Sequence, residues 1–269
     1  MIPSKVDETL PELAPFVHAV QARRPDDGTW CEAWTVRDVL IHQTGNAEEL
    51  AGVLRAFHAG TPVETKGFER ETPYRPMSDA ELWAAFLSRC EELTEVAAAA
   101  AQDLSPDTEV MWTGRSVTVP FFAEHMREEL ILHRWDLTGD DRTAVQDLNE
   151  PWMTEHSVVS VGRPLLERGR AGLDLGSKGR VEGRLRTPGM DDIVVSADAD
   201  GGSVRLAAPR APPRSRATPP YGSCCGGDGA PPTPHAGTVP PDRRHCAGYG
   251  PCWAATDGYS PLTVSSTRS

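Results

Sequence analysis

The stretch from Thr118 to Gly139 constrains this chain more than any other. Pro120 falls in what reads as a first helical turn and Gly139 where a helix stops, so the spacing predicts a helix over these residues. At about 100° per residue, Phe122, Met126, Leu130 and Leu137 fall within an arc roughly 80° wide, which must face a core. Glu129 and His133 project into or beside that arc, four residues apart and therefore one above the other. Glu124, Arg127, Glu128 and Arg134 read as the solvated side. A carboxylate and an imidazole on a core-facing stripe are costly to bury unless they are paired or hold a metal. Glu-x-x-x-His on one helical face offers two metal ligands.

Three more amphipathic stretches precede it. Leu10, Leu13, Phe16, Val17 and Val20 recur at helical spacing between Glu8 and Arg24, with Pro11 tolerable in a first turn and Pro15 implying a later start or a kink. Thr35 and Asp38 form a capping-box pattern, Trp34 and Val39 sit in staple positions, and the helix they open runs to Gly60. His42 lies on that helix's apolar side, with Val39 and Val53. A lone histidine there reads more readily as a satisfied core residue than as a ligand. Residues 61–76 read as a loop. Ser78 and Glu81 cap a third helix through Leu93 to about Gln102, and Leu104 to Ser116 read as a connection. Four such helices imply a mainly α chain opening with a four-helix bundle over residues 1–142, an architecture that places metal sites between facing helices.

Beyond Asp140 the pattern changes. Pro151 to Arg170 reads as a helix, followed by β-like pieces at Arg180–Arg186, Ile193–Ala197 and Ser203–Ala207, the start of a small and incomplete α+β domain over 143–208. Half of the chain's 24 prolines lie from Pro209 onward, with almost no Leu, Ile or Val, so 209–269 reads as a disordered tail. Its Cys224, Cys225, His235, His245, Cys246 and Cys252 lack the Cys-x-x-Cys spacing of a zinc cluster, and the distribution of the chain's six cysteines does not read as a disulfide framework. A formal charge of −12 with no basic stripe argues against a nucleic-acid partner. With no apolar run of membrane-spanning length and no signal-peptide pattern, a cytoplasmic protein without membrane contact is expected.

Two motifs together carry a resemblance. Trp34-Thr35-Val36-Arg37-Asp38-Val39-Leu40-Ile41-His42 resembles the second-helix motif of the mycothiol-dependent maleylpyruvate isomerase family, whose N-terminal domain has the DinB-like four-helix bundle. Glu129-Leu130-Ile131-Leu132-His133-Arg134-Trp135-Asp136-Leu137 resembles that family's fourth-helix motif. The resemblance implies metal ligands at His42, Glu129 and His133. It also implies a divalent cation, zinc as first choice, with an open coordination position for mycothiol or a similar small thiol. The implied reaction is isomerisation of a cis double bond conjugated to a carbonyl, or S-transfer to another electrophile. Asp136 is placed to orient a ligand or to fix Arg134 or Arg37, and a plain surface carboxylate fits as well. His125 extends the series to His-x-x-x-Glu-x-x-x-His, but drift of roughly 80° from His133 makes it a polar flank more readily than a ligand. Arg134 reads as exposed charge and Trp135 as a packing aromatic.

The family's second domain contains a Leu-Leu-Trp-Gly-Arg-Arg-like stretch that this chain lacks. With suitable synonymous codons, the bases encoding Tyr221 to Gly229 read Arg-Ile-Leu-Leu-Trp-Gly-Arg-Arg in another frame, so a frameshift near residue 209 accounts for the lost patterning. Sequencing the gene beside a close relative's decides that. Turnover is then expected to be impaired. A non-catalytic metal- or thiol-binding module is the alternative, and a bundle in which Glu129 and His133 pair with Arg37 or each other is the third reading.

Overall fold

A computed structural model describes residues 2–168, 175, 179–186 and 189–209. The tail expected from 209 onward, with its cysteines and the frame question, lies almost wholly outside them. The described chain is mainly helical. Helices α1 (Ser4–Thr9), α2 (Leu13–Gln21), α3 (Val36–His58) and α4 (Asp79–Asp103) are followed by a hairpin of β1 (Glu109–Trp112) and β2 (Arg115–Thr118), then by α5 (Phe121–Thr138). Short helices α6 (Arg142–Leu148) and α7 (Pro151–Glu155), a π-helical stretch His156–Gly162 and α8 (Arg163–Arg168) lead to an antiparallel sheet β3-β4-β5 (Arg180–Leu185, Asp192–Asp198, Gly201–Ala207). No helix among the described residues is long and apolar enough to cross a membrane.

The bundle packs α1 and α2, α3, α4 and α5 around Leu13, Phe16, Leu50, Leu54, Phe86, Leu93, Phe122, Met126 and Leu130, all fully or almost fully buried. The two capping boxes form as the residues predict: Thr35 and Ser78 each accept from the backbone N–H three residues on, while Asp38 and Glu81 reach back to the cap. The first helix is broken instead of continuous, because Pro11 interrupts it between Leu10 and Glu12. Pro15 then falls in the first turn of α2, where its missing N–H costs nothing.

The stretch 104–116 is not a plain connection. Val110 and Trp112 face inward while their neighbours face out, and Thr113 and Gly114, both at positive φ, make the two-residue turn. Thr118 therefore belongs to β2, and α5 begins at Phe121 with Pro120 at its cap. Trp112, wholly buried, packs on Phe122 with ring centroids 5.7 Å apart. At the other end Gly139 has φ 69°, and a Cβ there would lie 2.8 Å from the Trp30 indole nitrogen. Trp30 also donates its backbone N–H to the Asp136 carbonyl at 2.8 Å. The end of α5 is thus pinned against the loop that leads into α3 and carries Trp34.

Candidate metal centre

His42 projects from the second turn of α3, and Glu129 and His133 from the middle of α5. Their side chains meet in the interior, at 1%, 7% and 3% exposure. His42 Nε2 lies 3.3 Å and His133 Nε2 3.4 Å from the same oxygen, Oε2 of Glu129. The other ring nitrogens are engaged: His42 Nδ1 donates to Glu71 Oε1 at 3.0 Å and His133 Nδ1 to Asp136 Oδ2 at 2.8 Å. Each imidazole is thereby fixed in one orientation by a carboxylate, the arrangement that holds metal-binding histidines in place. Trp34 covers both rings. It is stacked on His133 with centroids 5.4 Å apart and tilted on His42 at 4.9 Å.

This geometry sets an electrostatic condition. With Nδ1 carrying the proton, a neutral imidazole presents a lone pair at Nε2, and two such lone pairs would face a carboxylate oxygen. Something positive has to sit among them. A proton meets part of the need. Burial alone would lower the His133 pKa, but Asp136 and Glu129 outweigh it and raise it to about 9. Burial pushes Glu129 up, yet the imidazoles of His133 and His42 hold it well below the usual carboxylate range. A metal meets the whole need. Tetrahedral bonds of 2.0–2.1 Å put donor atoms about 3.3–3.4 Å apart, the separation found here and longer than most N–H···O hydrogen bonds.

Residues 6–138 match the family model described as the mycothiol maleylpyruvate isomerase N-terminal domain. Over that segment, just under half of the chain, the sequence is similar to this domain family. The matched segment is the four-helix bundle described above, with the β1-β2 hairpin. A search of curated proteins finds no match. Among solved structures, a crystal structure of the mycothiol-dependent maleylpyruvate isomerase is similar at 16% identity and a TM-score of 0.44, covering 55% of this chain and 68% of its own. A crystal structure of a histidine-to-alanine mutant of the mycothiol-dependent maleylpyruvate isomerase covers 63% and 72%, at 15% identity and a TM-score of 0.46.

The structure brings His42, Glu129 and His133 together, and of the alternatives left open for Asp136 it chooses the partner of His133. Arg37 is elsewhere, paired with Asp79, so it neutralises none of these groups. Two expectations fail. Glu128 is not solvated but 2% exposed, and Arg134 is 8% exposed and paired with Asp141 at 2.7 Å. The reason is shared: residues after Gly139 fold back over that side of α5, which a helical wheel of α5 alone takes for surface. His125 flanks the centre, with Nε2 3.9 Å from Glu129 Oε1, while its Nδ1 contacts Glu128 Oε2 at 3.1 Å.

Glu71 went unread because it sits in a short 3₁₀ turn, Gly67–Glu71, within a stretch with no apolar periodicity. Trp34 was legible only as a staple residue. Beside the centre lies a cleft of about 300 Å³ lined by Ala33, Trp34, Asp38, Phe68, Glu71 and Arg75. Two of its walls, Trp34 and Glu71, touch His42. Arg75, more than half exposed, pairs with Glu71.

Proposed function

We propose that this chain is a metal-dependent enzyme of the thiol-using isomerase or transferase class, with His42 Nε2, Glu129 and His133 Nε2 holding a divalent cation, zinc as first choice. The observation that carries the reading is the convergence of two imidazole nitrogens on one carboxylate oxygen at donor–donor spacings suited to a tetrahedral ion, each ring held from behind by a carboxylate. When bound, the cation supplies the Lewis acidity that keeps a small thiol, mycothiol or a relative of it, deprotonated near neutral pH.

The chain's own residues do the rest. Glu71 and Asp136 keep the two rings in the tautomer that leaves Nε2 free. Trp34 shields the imidazoles from water and forms the wall along which a substrate enters the cleft. Arg75 at the rim offers a guanidinium to a substrate carboxylate. The electrophile is a carbon–carbon double bond conjugated to a carbonyl: thiolate adds to one alkene carbon, the resulting single bond rotates, and loss of the thiolate restores the double bond in trans. Residues 1–142 form the metal-bearing unit in this reading, and 143–208 a second unit.

The test begins with metal content of the purified full chain beside Glu129→Ala and His133→Ala, and continues with thiol-dependent conversion of cis-enoyl electrophiles. Loss of one equivalent of metal and of all conversion in both variants supports the reading, and variants that carry as much Zn2+ as the parent sink it. The burial of all three ligands under Trp34 favours a second reading, a binding module without turnover. Metal held tightly, with no conversion of any electrophile tried, would select it.

A further inference from the structure

Among the described residues a second group of metal-ligating side chains converges: His125, Glu128 and His156, with donor atoms all within 4.8 Å of one another and each residue buried. His125 and Glu128 come from α5, Glu128 about 100° around the helix from Glu129 and His125 bordering the first centre, its Nε2 3.9 Å from Glu129 Oε1. His156 opens the π-helical stretch, beyond the segment that the family model matches. The wider π turn lets adjacent residues, His156 and Ser157, both reach Glu128.

The donor set is arranged for one cation. Glu128 Oε1 accepts the Ser157 hydroxyl at 2.6 Å, which leaves Oε2 facing His125 Nδ1 at 3.1 Å and His156 Nε2 at 3.4 Å. His156 Nδ1 is taken by Glu124 at 3.3 Å. His156 Nε2 is buried, makes no hydrogen bond, and points at a carboxylate oxygen. As a lone pair it would repel that oxygen, so a cation belongs between them. Phe121 stacks on both rings, with centroids 4.9 Å from His125 and 5.3 Å from His156, and closes the group from water.

We propose that His125 Nδ1, Glu128 Oε2 and His156 Nε2 form a second divalent-cation site, of the zinc-binding N/O type, that clasps the segment after the bundle onto α5. Its three ligands are contributed from both sides of Gly139, so an ion there ties two parts of the chain together, with a fourth position left to a small ligand. The competing state is a protonated His156 paired with Glu124 and Glu128. Burial opposes the charge on His156, but Glu124 and Glu128 raise its pKa to about 9, so a protonated ring fills the same place when no metal is supplied.

The experiment is zinc stoichiometry of the full chain, loaded with Zn2+ and desalted, by elemental mass spectrometry, with helical circular dichroism recorded for every variant. His42→Ala leaves the second group whole, and should still hold about one zinc that the His42→Ala/His156→Ala double variant lacks. A His156→Ala chain should hold one fewer than the parent. If the first centre binds nothing, the parent and His42→Ala carry the same zinc and His156→Ala still loses it, so the two sites fail separately. A His156→Ala chain with the parent's stoichiometry overturns the inference. Should His156→Ala not fold, Co2+ added to folded His42→Ala decides. A visible absorption band of a four-coordinate N/O site that Glu128→Gln abolishes is the result expected. No such band overturns the inference.

Discussion

Glu128 and Glu129 are neighbours in sequence, yet each anchors its own histidine pair on a different side of one helix. At Glu129 two Nε2 atoms face one oxygen, and both rings are braced by buried carboxylates, Glu71 and Asp136. At Glu128 one ring meets the carboxylate through Nδ1 and the other through Nε2, and the carboxylate behind His156, Glu124, is about half exposed. An aromatic covers each pair, Trp34 over the first and Phe121 over the second. The difference teaches that the same three side chains are built to different standards. The first group is preorganised within the bundle and borders a cleft. The second is assembled only when the chain beyond Gly139 folds back, which suits a clasp better than a reaction centre.

The comparison can be broken most forcefully at Glu129. Glu129→Ala removes the shared oxygen and leaves two buried nitrogen donors without a partner. All first-centre metal and all thiol-dependent conversion should vanish, as elemental analysis and an activity assay would register. Bracing should matter next. Asp136→Asn and Glu71→Gln are each expected to weaken first-centre zinc affinity by about 10–100-fold in competition with a chelator, leaving zinc bound by the second group unchanged. An equal loss at both groups would mean that the two are one network. Gly139→Ala strains a backbone at φ 69° and drives a methyl toward Trp30, so thermal unfolding should show a loss of about 1–3 kcal/mol. The smallest effect should come from Glu124→Gln, which removes an exposed brace and should weaken the second group by less than about tenfold. A larger effect there would show that the clasp is as preorganised as the first centre.

Much of the first centre was legible because helices repeat. Glu129 and His133 share a face by spacing alone, and His42 falls on the apolar side of its own helix. The capping boxes mark where α3 and α4 begin. The hairpin was written in the sequence too, in the alternation around Val110 and Trp112 with Thr113-Gly114 between, but its strands are so short that the pattern passes for a connection. Glu71 had no periodic neighbours to give it away.

By itself, then, the sequence determined the main helices and their apolar faces and set Glu129 one turn from His133, because those properties depend on residues a few positions apart; His42 entered as a ligand only through the resemblance. Tertiary structure alone decided that Asp136 and Glu71 brace the rings and that Glu128 and Arg134 are buried. It also decided that His156 returns to α5. Each of these depends on which surface a distant segment covers, and a helix cannot encode in its own periodicity what will pack on its far side.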